Sequence, residues 1–211
     1  MKAVIFDRDG VILDSEWINI NSAIKAFKGV GIEIKKEEKE WIIGRHPEDY
    51  KELFFERYDF SYEKFREIQR ETYYELLKSA PLFDKTVSLI KELHRRKIPF
   101  ALTTSSGLKS TLQVLEKADL VHAFSVIVTN EDYDNKKPHP EPYEVTAKKL
   151  NLHPKDCVAI EDSSVGIESA KSAGMKCIAI ANETTKNQDL SKADLIVDSA
   201  EEISIDLLET F

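Results

Sequence analysis

Short apolar runs alternate with amphipathic stretches along most of this 211-residue chain. The apolar runs have the length and composition of buried strands, and they cover residues 2–6, 98–103, 124–128, 157–160, 177–180 and 195–197. Apolar residues recur with helical spacing in residues 87–93, 108–115, 143–150, 165–173 and 201–208. Continuous apolar strands that alternate with helices predict an α/β fold, a doubly wound parallel sheet covered by helices on both faces.

A helical block interrupts this alternation directly after the first strand. Residues 15–80 carry apolar and aromatic residues at helical spacing, and Pro47 stands where a helix would begin. We therefore expect residues 1–14 and 81–211 to form the core domain. Residues 15–80 would form a small inserted helical cap domain whose aromatic residues pack inside it.

Composition limits the classes of partner. The formal net charge of −8 and the pI near 5.3 argue against a general role in binding nucleic acid or membrane surfaces. No apolar run approaches the length of a membrane span, and the N-terminus does not have the pattern of a signal peptide. We expect a cytoplasmic monomer in which Cys157 and Cys177 are reduced, with a disulfide between them as the alternative.

Polar groups follow the predicted strands where each strand ends. In chain order these groups are Asp7 and Asp9, Thr104 and Ser105, Lys137, and Glu161 and Asp162. Ligands of doubly wound sheets bind beyond the carboxyl ends of the strands. We therefore expect these acids, hydroxyls and cation to meet at one edge of the sheet.

Such a set of groups suits phosphoryl transfer. Asp7 and Asp162 can hold Mg2+ through oxygen ligands, and a carboxylate beside the metal can attack phosphorus to form an aspartyl-phosphate. Asp9 can protonate the leaving oxygen and later activate water. Thr104 can donate a hydrogen bond to a phosphoryl oxygen, and Lys137 can offset negative charge.

Four motifs in this order resemble those of the haloacid dehalogenase superfamily, in its phosphatase and phosphomutase branch. They are DRDGV from Asp7, ALTTSS from Ala101, KPHPEPY from Lys137 and EDSSVG from Glu161. The resemblance extends over the whole chain. The helical insert resembles the cap of β-phosphoglucomutase-like and phosphoglycolate-phosphatase-like members, where the cap closes over the active site and helps to select the substrate.

The resemblance implies a role for each matching residue. Asp7 would be the nucleophile, Asp9 the general acid and base, Thr104 the phosphate-binding hydroxyl and Lys137 the electrostatic anchor. Mg2+ would be held by Asp7, by the backbone carbonyl of Asp9 and by Asp162. Glu161 would lie just outside this ligand set. True dehalogenases lack the second aspartate of the first motif, so Asp9 favours phosphoryl transfer.

Three further residues have open roles. Ser105 either contacts phosphate or simply begins the next helix. Arg45, in a candidate specificity loop of the cap, either contacts a substrate anion or forms a salt bridge. Arg8 departs from relatives that carry an apolar residue there; its side chain should point away from that of Asp7, and it either pairs with an acid or reaches a substrate group.

The sequence thus predicts a Mg2+-dependent phosphatase acting on a small phosphorylated metabolite, such as a sugar phosphate or a phosphoglycolate-like ester. A phosphomutase of the β-phosphoglucomutase type is the first alternative. Pro47 and Asn19 stand where those mutases carry an arginine and a histidine, which argues against it. A non-enzymatic switch that resembles a receiver domain is the second alternative, and such domains are smaller and lack a cap.

Overall fold

The computed structural model describes residues 1–43, 47–182, 185 and 188–211. The chain divides into two compact units, one of residues Met1–Leu13 and Leu82–Phe211, the other of residues Asp14–Pro81. The first unit is a parallel sheet with helices, and the second is helical. None of the described helices is both long and apolar enough to span a bilayer.

The sheet unit contains six parallel strands in the order β3-β2-β1-β4-β5-β6. In chain order they are β1 (Ala3–Phe6), β2 (Phe100–Thr103), β3 (Ile127–Val128), β4 (Cys157–Glu161), β5 (Lys176–Ile180) and β6 (Leu195–Val197). The predicted doubly wound α/β fold is therefore confirmed. The strand order reverses between β1 and β4, and the crevice at such a reversal is where ligands of this fold class bind.

Helices connect most of these strands, as predicted, whereas β5 and β6 follow each other with no helix among the described residues between them. They are α4 (Asp84–Arg95), α5 (Leu108–Lys117), α6 (Glu141–Lys149), α7 (Ser164–Ser172) and α8 (Ile205–Glu209), numbered after three helices of the other unit. The central strands β1, β2 and β4 are buried along their whole length. Their continuous apolar sequence follows from burial on both faces.

Two details differ from the sequence prediction. Strand β3 has two residues instead of the expected five, and the ring of Phe124 instead packs edge-on against that of Phe100, with 4.9 Å between centroids. The cysteines are both free and buried, and the β4–β5 register pairs Cys177 with Ala159 and not with Cys157. The expected reduced state of the two thiols agrees with this register.

The helical unit contains α1 (Ser15–Gly29), a 3-10 helix (Glu37–Trp41), α2 (Pro47–Phe55) and α3 (Tyr62–Leu77). Helix α1 begins where the Asp14 side chain accepts a hydrogen bond from the Trp17 amide, a standard N-cap. Helix α2 begins at Pro47, as predicted. The aromatic stripe packs inside the unit around Phe27, whose ring lies against those of Phe54 and Phe65.

Candidate active site

A buried lysine joins two acids at the carboxyl ends of β1 and β4. Lys137 Nζ donates to Asp7 Oδ1 and to Glu161 Oε1, each at 2.6 Å. All three side chains are more than nine-tenths buried. Burial alone would lower the pKa of Lys137, but the charges of Asp7 and Glu161 outweigh it and raise that pKa above its usual value. Lys137 is therefore a permanent cation at the first motif.

Glu161 is held by donors on both of its oxygens. Oε1 accepts a hydrogen bond from the Tyr143 hydroxyl at 2.8 Å in addition to that from Lys137. Oε2 accepts from the backbone amide of Asp162 at 3.1 Å and from the Ser163 hydroxyl at 3.2 Å. These contacts fit a carboxylate that positions Lys137 and the start of α7.

The acidic cluster fits a hard divalent cation. Among the described residues, Asp7, Glu161 and Asp162 each offer an oxygen within 4.8 Å of the other two. Burial, partly offset by Lys137, raises the pKa of Asp7 to about 7. Burial and the charges of Glu161 and Asp7 also raise the pKa of Asp162 well above its usual value. A bound dication would relieve this repulsion, and Mg2+ prefers such oxygen ligands.

Two glycines leave space for the acids Asp162 and Glu161, and the Asn182 side chain holds Asp162 in place. Gly10 has φ +75°, and a Cβ atom at this position would overlap the carboxylate of Asp162. The Asn182 side chain donates to Asp162 Oδ2 at 3.1 Å and to the Gly10 carbonyl at 3.3 Å. Gly166 likewise leaves room for Glu161, because its Cβ would overlap that carboxylate. The glycines of the first and fourth motifs therefore make space for the acids.

Thr104 and Asp9 meet at the end of β2. Thr104 is buried, and its hydroxyl lies 3.4 Å from Asp9 Oδ2. The Ser106 amide donates to the Thr104 hydroxyl at 3.1 Å, and the Ser106 hydroxyl donates to Asp9 Oδ2 at 3.0 Å. Ser105 is exposed and precedes α5, so it does not form part of that helix.

Arg8 pairs with an acid, which is one of the two outcomes expected for it. The side chain is completely buried, and its Nη2 lies 2.7 Å from Asp9 Oδ1 and 2.9 Å from Asp9 Oδ2. The Ser106 hydroxyl also accepts from Nη2, at 2.6 Å. Except for the exposed Ser105, the predicted site residues of the sheet unit thus gather at the carboxyl ends of β1, β2 and β4, whereas Arg45 lies outside the described residues.

Sequence reasoning assigned no role to Tyr143, to Asn182 or to the side chain of Ser106. Tyr143 stands inside the third motif, and Ser106 inside the second, so their positions were visible but their partners were not. Asn182 follows β5, and the same search of strand ends that found the other groups could have found it.

Comparison with known proteins assigns this chain to a family. A sequence profile described as haloacid dehalogenase-like hydrolase matches residues 4–180. This chain belongs to that family. It is 32% identical over 184 residues to the phosphorylated carbohydrates phosphatase of Thermotoga maritima, covering 84% of each protein. It is 28% identical over 223 residues to the β-phosphoglucomutase of Bacillus subtilis, covering 99% of this chain and 94% of that protein.

Solved structures agree with the sequence comparison. The crystal structure of a family IA, variant 3 haloacid dehalogenase-type hydrolase from Entamoeba histolytica superposes with a TM-score of 0.82 at 28% identity, covering 99% of this chain and 97% of that one. The expectation that this protein is an enzyme, a hydrolase of the phosphatase type, is confirmed by these relatives.

Proposed function

We propose that this haloacid dehalogenase-like hydrolase is a Mg2+-dependent phosphatase that hydrolyses a small phosphate monoester through an aspartyl-phosphate on Asp7. The observation that carries the proposal is the buried contact of Asp7 with Lys137 beside the acids at the end of β4. A carboxylate held by a lysine and flanked by further acids is suited to nucleophilic attack on a phosphoryl group.

The reaction has two steps, and both use residues of the sheet unit. An Asp7 oxygen bonds to phosphorus while the ester P–O bond breaks, and Asp9 gives a proton to the leaving oxygen. Water then attacks phosphorus, Asp9 takes its proton, and the bond to Asp7 breaks to release phosphate. Thr104 and Ser105 would bind the phosphoryl oxygens, and Lys137 would offset the charge that develops on them.

The metal site would consist of Asp7, the backbone carbonyl of Asp9 and Asp162. Mg2+ bound there would reduce the repulsion between the Asp7 carboxylate and the negatively charged phosphoryl group. Glu161 would remain outside the ligand set, since its oxygens already accept hydrogen bonds from Lys137, Tyr143 and backbone amides.

The substrate would be a sugar phosphate or a phosphoglycolate-like ester. The relative from Thermotoga maritima, which is named for phosphorylated carbohydrates, supports this class. The helical unit would act as a cap that selects the substrate, with Arg45 as a contact for a substrate anion. We further propose a cytoplasmic monomer, which the two free buried thiols support as to location. Light scattering would test the monomer.

A phosphate-release screen tests the proposal. The purified protein is incubated with Mg2+ and a panel of sugar phosphates, phosphoglycolate, nucleotides and cofactor phosphates. We expect phosphate release from at least one sugar or small-acid ester, abolished by Asp7→Asn and by a chelator. Asp206→Asn is a matched control, because it changes an exposed acid in α8. Inactivity on the whole panel, or full activity of Asp7→Asn, would overturn the proposal.

The same screen distinguishes a phosphatase from a mutase. The mutase alternative is considered because this chain is similar to a β-phosphoglucomutase. A mutase would convert β-glucose 1-phosphate to its isomer when primed with a bisphosphate, and would release little free phosphate. A receiver-like switch would instead stay phosphorylated without turnover.

A further inference from the structure

Arg8 is a completely buried arginine between the two aspartates of the first motif. A buried guanidinium needs partners for its charge and for its donors. Since the Arg8 side chain has no exposed surface, it does not act through contacts with bulk solvent. The protein groups that contact the Arg8 guanidinium therefore indicate its role.

One side of the guanidinium is anchored in α5. Nη1 donates to the Ser110 hydroxyl at 3.1 Å and lies 3.4 Å from the Thr111 hydroxyl. Both hydroxyls donate in turn to the Gly107 carbonyl, at 2.9 Å each. These two residues thereby fix the orientation of the guanidinium plane from a helix more than 100 residues away in sequence.

The other side holds Asp9. Nη2 contacts both carboxylate oxygens, and Nε lies 3.2 Å from Oδ2. The Ser106 hydroxyl, which accepts from Nη2, donates to the same Oδ2. The Asp9 side chain is 31% exposed whereas that of Arg8 is 0% exposed. Arg8 is thus the buried member of a pair whose other member is partly exposed.

We propose that Arg8 is a positioning residue that fixes the Asp9 carboxyl group for proton transfer to the leaving oxygen, with Ser110 and Thr111 as its anchor. The proposal rests on the proposed phosphatase function. In the first step the electron pair of the breaking P–O bond goes to the leaving oxygen, and that oxygen takes its proton from Asp9. A displacement of about 1 Å in such a group can reduce a rate about 100-fold.

Leaving groups of different basicity separate this role from a structural one. An alkoxide is a poor leaving group that needs the proton, whereas 2,4-dinitrophenolate leaves without it. The comparison uses kcat/KM because this quantity covers the steps up to release of the leaving group. The two substrates are the most rapidly hydrolysed alkyl ester of the panel described above and 2,4-dinitrophenyl phosphate.

The central variant is Arg8→Met, compared with Asp9→Asn and with the double variant. We expect Arg8→Met to lower kcat/KM for the alkyl ester at least about 30-fold and for the dinitrophenyl ester less than about 3-fold. In the Asp9→Asn background the same substitution should change kcat/KM less than about 2-fold, because residues that act as a unit are not additive.

A second variant covers the case in which Arg8→Met does not fold. Ser110→Ala combined with Thr111→Val removes the anchor and leaves the Arg8–Asp9 contact in place. We expect about a 5-fold loss for the alkyl ester and little for the dinitrophenyl ester. Ser22→Ala is the matched control: like Ser110, this buried serine donates to the carbonyl three residues earlier in its helix, Asn19, but it lies in α1. This control should leave the ratio of kcat/KM for the alkyl ester to kcat/KM for the dinitrophenyl ester unchanged.

The outcomes separate the two proposals. Equal losses on both esters, or a large further loss in the Asp9→Asn background, would overturn the positioning role while the phosphatase assignment stands. A wild-type protein that is inactive on both esters would overturn the phosphatase assignment, and the positioning role with it.

Discussion

Lys137 Nζ lies 2.6 Å from Asp7 Oδ1, although 130 residues separate the two in sequence. Asp7 follows β1, and Lys137 lies in the loop between β3 and α6. The same nitrogen contacts Glu161 at the end of β4. One ammonium group thus joins three segments of the sheet unit at the point where the strand order reverses.

Removal of this ammonium should abolish activity and weaken the fold. In Lys137→Met, Asp7 and Glu161 lose their shared cation, so we expect kcat to fall at least about 100-fold. Breaking a buried ion pair should also lower the free energy of unfolding by about 3 kcal/mol, measured by urea denaturation. Lys136→Met is the control, since the neighbouring residue is exposed. It should retain full activity; equal losses in both variants would contradict the role of Lys137.

The sequence allowed prediction of the groups that meet, because parallel strands bring their carboxyl ends to one edge. The β1–β4 register pairs Phe6 with Ile160, so Asp7 and the acids after Ile160 are neighbours as soon as the sheet forms. Thr104 follows from the adjacent pairing of β1 with β2. No side-chain detail was needed for these three placements.

The partner of Arg8 could not be predicted in this way. The guanidinium can turn toward any acid within its reach, and hydroxyls of α5 hold it in the orientation that contacts Asp9. The contact of Asn182 with Asp162 likewise depends on packing of a loop after β5. Such contacts are set by tertiary packing, which spacing along the chain does not encode.

Gly10→Ala should damage the metal site more than the fold. An alanine at positive φ costs about 1 kcal/mol or slightly more, and its Cβ would also displace the Asp162 carboxylate. We expect Mg2+ affinity, measured by isothermal titration calorimetry, to fall at least about 10-fold. Gly174→Ala is the matched control, because Gly174 also has positive φ but its Cβ would meet nothing within 4 Å. If both variants bind Mg2+ like the wild type, this account of Gly10 is wrong.

Mg2+ affinity should depend on pH near neutrality. Burial raises the pKa of Asp7 to about 7, so in the metal-free protein this acid is mostly ionised at pH 8 and mostly protonated at pH 6. Metal ligands must be deprotonated, and protons therefore compete with Mg2+. We expect the dissociation constant to rise as pH falls below 7, by up to about tenfold per pH unit for each proton released. Calorimetry in buffers of different ionisation enthalpy would count the protons, and an affinity that is constant from pH 8 to pH 5.5 would contradict the expectation.

Tyr143→Phe should lower both the free energy of unfolding and kcat. The buried hydroxyl donates to Glu161 Oε1 at 2.8 Å, while the ring lies 4.8 Å from Lys137 Nζ, and phenylalanine keeps only the ring contact. Loss of a hydrogen bond to a charged group should lower the free energy of unfolding by about 2 kcal/mol. Because Glu161 then holds Lys137 less firmly, we also expect kcat to fall about 5-fold.

Tyr50→Phe provides the comparison for this variant, because its buried hydroxyl accepts one hydrogen bond from Gln69 within the helical unit. That substitution should lower the free energy of unfolding by about 1 kcal/mol and leave kcat unchanged. Urea denaturation and steady-state kinetics on both proteins would test the pair. Equal effects of the two substitutions on kcat would show that the Tyr143 hydroxyl does nothing for the site beyond stabilising the fold.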